Sequence, residues 1–457
     1  MATDVNVEVI INAKRVGRFQ IFIATVGTLV LIADGFDLQI LSYLMPRIVE
    51  EWAINAEFQG VVLSAGYFGV MIGYLILSPF SARIGLKRMV VLCLVFMGLF
   101  NVATITATNP TMLLGFRIAT GISLGGVFPP AVALTCEYFP ERYRASVVTI
   151  IYVGLPLGFL VAGWAAWLIV AGFGWRAAMI LGGVIPLTLA ILVSFCWPES
   201  LEFLINRAPG GMDRARRIFS KLHSAGLDDR VTLVAGKGQD SSVSVLKLFS
   251  KRNLVGTLSL WLALSLNAMV YFFVLSWLPL ILVRIGASHE NAIIASSLAN
   301  FGGIFAAFIT GPLMDRFGGY LVVLLHFVIA TCFASIVGMV LTPAMLVIVP
   351  AAFCLGFCVS GLQKGISALA MNFYPIELRS AGLGWVFGIG RSGAIAGPML
   401  AGSLMGMGWA PASVFYVMSI PLLIGGISIA VMWRYYQMDD YQKVSPPART
   451  AAGSPSR

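Results

Sequence analysis

Runs of about 20 apolar residues recur along this chain from Phe19 onward, and runs of that length strongly limit what it can fold into. At 1.5 Å per residue, about 20 helical residues cross the roughly 30 Å hydrocarbon core of a bilayer. Inside lipid the backbone N–H and C=O groups find no water, so a spanning segment must be a helix or part of a closed barrel. The runs are continuous rather than alternating, which selects helices. Composition agrees. Of 457 residues, 59% are hydrophobic and 11% charged, against roughly half apolar and a quarter charged in soluble domains. The expected fold class is an all-α polytopic membrane protein. About twelve transmembrane helices are expected, near 19–45, 58–81, 89–108, 111–136, 145–171, 175–197, 254–283, 291–313, 320–341, 345–371, 380–406 and 411–434.

The net charge of +10 raises the question of nucleic acid. The bases, however, flank apolar runs, so they orient spans instead. One set of connections receives Lys14, Arg15 and Arg18, then Arg83, Lys87 and Arg88, then Arg142 and Arg144, and the central segment with Arg214, Arg216, Arg217 and Lys221. The opposite connections are short, nearly uncharged or acidic (Glu50, Glu51, Glu57). The positive-inside rule then puts both termini and the central loop in the cytoplasm. Met1 to Arg18 is polar and shows no cleavable signal pattern. All six cysteines lie in or at the ends of apolar runs, so no disulfide is expected. Cys354 and Cys358, one helical turn apart, read as packing residues before they read as a metal pair.

The chain repeats itself at an offset of about 235 residues. Ser78-Pro-Phe-Ser-Ala-Arg83-Ile-Gly85 matches Gly311-Pro-Leu-Met-Asp315-Arg316-Phe-Gly318. Phe139-Pro140 with Arg144 echoes Tyr374-Pro375 with Arg379, and Gly174-Trp175 echoes Gly408-Trp409. Six spans per copy keep both copies in the same orientation, which implies parallel repeats about an axis along the membrane normal. The expected divisions are an N-terminal six-helix half (1–197), a cytoplasmic central loop (198–253), a C-terminal six-helix half (254–435) and a disordered cytoplasmic tail (436–457). Within the loop, Asp213 to Leu222 reads as a basic amphipathic helix and Gly236 to Ser244 as a linker. A substrate site between the halves follows.

Charges inside the spans are the candidates for chemistry, because each is costly there. Ala33-Asp34-Gly35-Phe36-Asp37 lies deep in the first span. Measured from Phe19, Asp34 is roughly 22 Å and Asp37 roughly 27 Å into the membrane. Arg117 enters from the other side and sits at a depth close to that of Asp34. The expectation is a proton-handling pair, Asp34 and Asp37, with Arg117 ion-paired to Asp34; a fixed structural ion pair is the alternative. A guanidinium binds a carboxylate through two parallel hydrogen bonds. Arg391, near the midplane of the eleventh span, is therefore read as the anchor for an anionic substrate, or else as an interhelical ion pair. Gln363 and Asn267 are expected to bond substrate or each other's helices. Phe36, Tyr43, Phe128, Tyr271 and Trp385 are candidates for an aromatic lining. Lys364 reads as a residue reaching for the interface, and His326 as a packed histidine. No metal cluster, no nucleophile–base constellation and no phosphate loop stands out, which disfavours an enzyme and ATP drive.

These motifs resemble the major facilitator superfamily over essentially the whole chain. Arg83, Gly85 and Arg88 in the first loop, and Asp315 and Arg316 in the second, look like its loop motif, with Ala82 where an aspartate is usual. Pro198-Glu199-Ser200 is similar to a further signature. Asp34-Gly-Phe-Asp37, Glu137-Tyr-Phe-Pro-Glu141-Arg142, Ser276-Trp277-Leu-Pro279 and Gly390-Arg391-Ser-Gly393 resemble the aromatic acid:proton symporters. The resemblance implies a monomeric importer in the bacterial inner membrane, driven by the proton gradient without a cofactor. Its substrate would be an aromatic or related organic acid such as benzoate or a hydroxybenzoate. Gating roles are implied for Arg83, Gly85, Arg88, Glu137, Arg144, Asp315, Arg316 and Arg379. Proton-driven efflux of a small organic acid or drug is the competing expectation.

Overall fold

A computed structural model describes residues 3–6, 10–12, 16–208, 210–222, 231–234, 248–250, 252–341 and 344–444. The first half comprises α1 (Arg18–Trp52), α2 (Ala56–Ile84), α3 (Leu86–Ala103), α4 (Pro110–Glu137), α5 (Glu141–Tyr152) and α6 (Gly154–Cys196). Helix α5 runs on into α6 through Val153, and α6 is broken at Gly174 (φ 75°, ψ 173°) into two spans. The connecting segment holds α7 (Leu201–Asn206) and α8 (Gly211–Leu222). The second half comprises α9 (Leu254–Arg284), α10 (His289–Phe317), α11 (Gly319–Met339), α12 (Met345–Phe373), α13 (Ile376–Gly406) and α14 (Pro411–Val444).

Eleven helical segments among the described residues are long and apolar enough to cross a membrane. They fall at the expected spans one to ten and twelve. At the eleventh position stands α13, 31 residues long, which Arg391 and a series of glycines make less apolar than the rest. Local sequence starts and stops the helices. Asn55, Asn109 and Ser288 each accept a hydrogen bond from a backbone N–H in the first turn of α2, α4 and α10, satisfying donors that the helix itself leaves open. Helix α2 ends at Gly85 (φ 104°) and α10 at Gly318 (φ 88°), both in a region that L-residues avoid. Gly174 (φ 75°) and Gly408 (φ 86°) form a second such pair. The repeat seen in the sequence thus survives as matched caps and matched glycines.

Packing repeats as well. In the first half α1 lies on α6, α2 on α4, and α3 on α4 and α6; in the second, α9 lies on α13, α10 on α12, and α11 on α12 and α14. The halves meet where α2 packs on α13 and α10 on α6, with α1 against α9. These contacts are equivalent under a twofold exchange of the halves.

Two short strands add to the all-helical expectation: Thr3–Asn6 and Val231–Val234 pair in parallel, Thr3 opposite Val231. Both carry β-branched residues, which suit extended backbone. Helix α8 covers the expected basic amphipathic stretch, while residues 236–244 lie outside the described residues. Helix α14 continues past Tyr436 to Val444, so the first part of the expected disordered tail is helical; 445–457 are outside the described residues. The six cysteines are free.

Candidate functional site

The charges inside the spans form two clusters, one within the first half and one between the halves. Asp37 and Arg117, each 3% exposed, form an ion pair with Nη1 to Oδ1 at 3.5 Å. Asn101 of α3 bridges them: its Nδ2 donates to Asp37 Oδ1 (2.6 Å) and its Oδ1 accepts from Arg117 Nη2 (2.7 Å). The same Nη2 lies 3.2 Å from the sulfur of Met179. The expected partner of Arg117 was Asp34, and this is corrected: Asp37 takes it. Three residues of helix rise about 4.5 Å, and depth estimates from span ends cannot resolve that step. Asn101 was missed in the sequence. A lone polar residue at the end of an apolar run is a weak signal.

Asp34 is 4% exposed and makes neither a hydrogen bond nor an ion pair among the described residues. The charges acting on it are Arg391 and Asp37. Arg391 reaches across the interface from α13 and donates from Nη2 to Tyr74 Oη of α2 at 2.9 Å. Its guanidinium also lies over the Tyr74 ring, 5.0 Å from the centroid. Tyr74 leans on Phe128 (6.3 Å between ring centres), and Phe128 meets Tyr152 edge-on at 5.0 Å. An unpaired buried carboxylate, a half-buried guanidinium and an aromatic wall are thereby gathered between the halves.

The remaining candidates are distributed around this cluster. Asn267 is buried and donates to Gln363 Oε1 (3.0 Å) and to the Val359 carbonyl (3.1 Å), tying α9 to α12; its Oδ1 has no partner among the described residues. Tyr271 stands beside Phe272, which meets Tyr67 of the first half at 4.6 Å. Phe36 is buried instead against the Gly182 turn of α6. Trp385 stacks on Trp261 at 5.8 Å and is 43% exposed, closer to the chain termini than Arg391. Lys364 does not reach for an interface: its Nζ donates to the Gly303 carbonyl (2.9 Å) and Ser360 Oγ (2.7 Å). His326 is packed, with Nδ1 on the Val322 carbonyl.

The two ends of the interface differ. At the end away from the termini, Gln39 donates to the Leu275 carbonyl, Tyr43 bonds Ser297 and Asn300, and Ser64 donates to the Ile395 carbonyl. Arg284 donates to Gln59 at 2.6 Å, and His289 faces Glu50 at 3.3 Å. Toward the termini, Tyr152, Trp385 and Phe387 are exposed. A Cβ placed on Gly384 or Gly388 would meet nothing within 4 Å, and both glycines share a helix face with Arg391. The site is closed at one end and open at the other.

The gating candidates sit at the terminal end. Arg83 lies over Phe80, Arg88 over Phe203 and Arg316 over Phe317. Glu137 accepts from the Glu202 N–H at 2.8 Å, and Arg144 donates to the Phe139 carbonyl. Asp315 is exposed near the end of α10; the side chain of Arg379 is outside what the structure describes. Where Ala82 replaces an acid, Glu199 supplies one nearby. It accepts from the Lys87 N–H (2.8 Å) in the first turn of α3 and sits where a Cβ on Gly85 would go, and a carboxylate is favoured at a helix N-terminus. Among the described residues no group of three or more His, Cys, Asp or Glu side chains could hold a metal.

A two-half helical bundle, open at one end onto buried charges, is the architecture of a multi-pass membrane transporter rather than an enzyme. The chain belongs to the Major Facilitator Superfamily, whose model matches residues 27–363 and 285–456. It is 32% identical to the 4-hydroxybenzoate transporter PcaK of Pseudomonas aeruginosa, covering 93% of this chain and 95% of that one. It is likewise 32% identical to a gallate transporter of Pseudomonas putida (92% and 93%) and 26% identical to a benzoate transport protein of Acinetobacter baylyi (97% and 97%). Among solved structures it is similar to a bacterial homolog of the lysosomal transporter Spinster in an inward-facing, occupied conformation. That match has TM-score 0.67 and 15% identity, over 95% of this chain and all of the other. The nucleoside transporter NupG matches with TM-score 0.68 and 12% identity, over 91% of this chain and all of the other.

Proposed function

We propose that this chain imports an aromatic carboxylate together with protons. The observation that carries the reading is the pairing of an anion anchor with an unpaired acid at one interface: Arg391 on α13 and Asp34 on α1. The substrate carboxylate binds Arg391 through charge-assisted hydrogen bonds. Its ring lies against Phe128 and Tyr152. Asp34 takes the coupled proton, and Asp37, held by Arg117 and Asn101, keeps α1 in register with α3 and α4. Neutralising the site lowers the cost of closing low-dielectric protein around it. The halves then rock, and substrate and proton leave at the opposite face. The names of the curated relatives support an aromatic acid as substrate.

In this reading the open terminal end faces the cytoplasm, following the positive-inside rule, and the membrane is a bacterial inner membrane. The divisions 1–197, 198–253, 254–435 and 436–457 are the moving halves, their connector and the tail. The carrier works as a monomer, with the proton gradient as its energy source. The test is uptake of labelled benzoate, 4-hydroxybenzoate, 2,4-dichlorophenoxyacetate and muconate in transport-deficient cells, with and without a protonophore. Accumulation of an aromatic acid that the protonophore abolishes is expected. Absence of uptake for all four, with the protein in the membrane, overturns the reading; uptake indifferent to the protonophore overturns the coupling.

A further inference from the structure

A charge buried in the middle of a membrane carrier raises a problem when the carrier is empty. Arg391 needs a partner in every state that crosses the midplane, because an uncompensated guanidinium there is costly. The structure supplies one from the other half. Arg391 Nη2 donates to Tyr74 Oη at 2.9 Å, and the cation rests over the same ring at 5.0 Å. Asp34, Tyr67 and Tyr152 feel the Arg391 charge, yet none of them bonds it among the described residues. Tyr74 itself is held against the buried cluster of Ala33, Val70, Met97 and Leu124, so its hydroxyl is presented at a fixed place. The bond also joins α2 to α13, the helices of the main contact between the halves.

Resting on the import reading above, we infer that Tyr74 is the stand-in for the substrate carboxylate: it holds Arg391 in the empty carrier and so permits the unloaded halves to return. The phenol oxygen accepts one guanidinium N–H and the ring offers its negative face, a neutral pairing that an arriving carboxylate displaces through stronger ionic hydrogen bonds. Tyr74 is thus a positioning residue for the return step, and its hydroxyl serves only when the site is empty.

The test separates return from loaded transport. Proteoliposomes carrying the wild type or Tyr74→Phe are assayed with labelled benzoate and 4-hydroxybenzoate in two modes, net uptake under a proton gradient and counterflow against unlabelled internal substrate. Counterflow never sends the empty carrier across. Tyr74→Phe keeps the ring and loses the acceptor, so net uptake falls about tenfold while counterflow stays within about twofold of wild type. A tenfold change corresponds to about 1.4 kcal/mol, within the worth of one hydrogen bond to a charged group. An unchanged ratio of net uptake to counterflow, whether both fall or neither does, overturns the inference. If Tyr74→Phe is inactive in both modes, the same ratio is read from Tyr74→Leu, which also lacks an acceptor. A wild type inactive in both modes toward every acid removes the import reading and this inference with it; an active wild type with an unchanged mutant ratio removes the inference alone.

Discussion

Asp34 and Asp37 stand three residues apart on one helix, equally buried, and the structure gives them different surroundings. Asp37 shares a bridge with Asn101 and Arg117, whereas Asp34 has no bonding partner among the described residues. Removing one member of a buried ion pair leaves the other uncompensated and costs about 3–5 kcal/mol. Asp37→Ala is therefore expected to lower the thermal midpoint of the purified protein clearly and to reduce its yield. Asp34→Asn removes no pairing and is expected to change stability by under about 1 kcal/mol, while abolishing proton-driven accumulation. Thermal unfolding in detergent, read beside uptake, checks both halves of the statement. Equal destabilisation by the two variants would show that Asp34 is a structural partner as well.

Helix pairs in this molecule are set by small residues brought against backbone. An added Cβ at Gly158 on α6 would strike the Ile32 carbonyl of α1, one at Gly35 the Leu155 carbonyl, and one at Gly393 the Ser265 carbonyl across α9 and α13. Close approach of this kind holds helices together in lipid, where burial of apolar surface gives little drive. Gly158→Val is expected to destabilise by at least about 2 kcal/mol, as overpacking does. Gly115→Ala, with nothing within 4 Å of the new atom, is expected to stay within about 1 kcal/mol of wild type and to favour the helix. Thermal melts of the two variants make the comparison. Which helix each glycine meets is not written in the sequence, since partner choice depends on the arrangement of all the helices.

For the whole molecule, the asymmetry between the two ends defines the state of the carrier. Hydrogen bonds that join Gln39, Tyr43, Gln59 and Ser64 to the second half close the end away from the termini. Gly384 and Gly388 front open space at the other. In a variant lacking the six native cysteines, Gly388→Cys is expected to react with a polar thiol reagent from the terminal side. Bound aromatic acid should slow that reaction several-fold, because the site next to Arg391 is then filled. Labelling from the opposite side alone would contradict the described opening.

The sequence by itself determined the helical class, the position of nearly every span, the twofold repeat and four charges worth following in the spans, Asp34, Asp37, Arg117 and Arg391. It could do so because lipid imposes a length on each run and a penalty on each charge, and both act residue by residue. Only the tertiary structure decided who faces whom. Arg117 went to Asp37 rather than Asp34 because the orientation of each side chain about its helix matters as much as its depth. Phe36 turned to Gly182 and Trp385 to Trp261, away from the anchor, for the same reason. Asn101, Tyr74 and Glu199 acquired their roles through neighbours remote in sequence. A hydrogen bond of under 3 Å between helices depends on the packing of the whole bundle, and no local pattern encodes it.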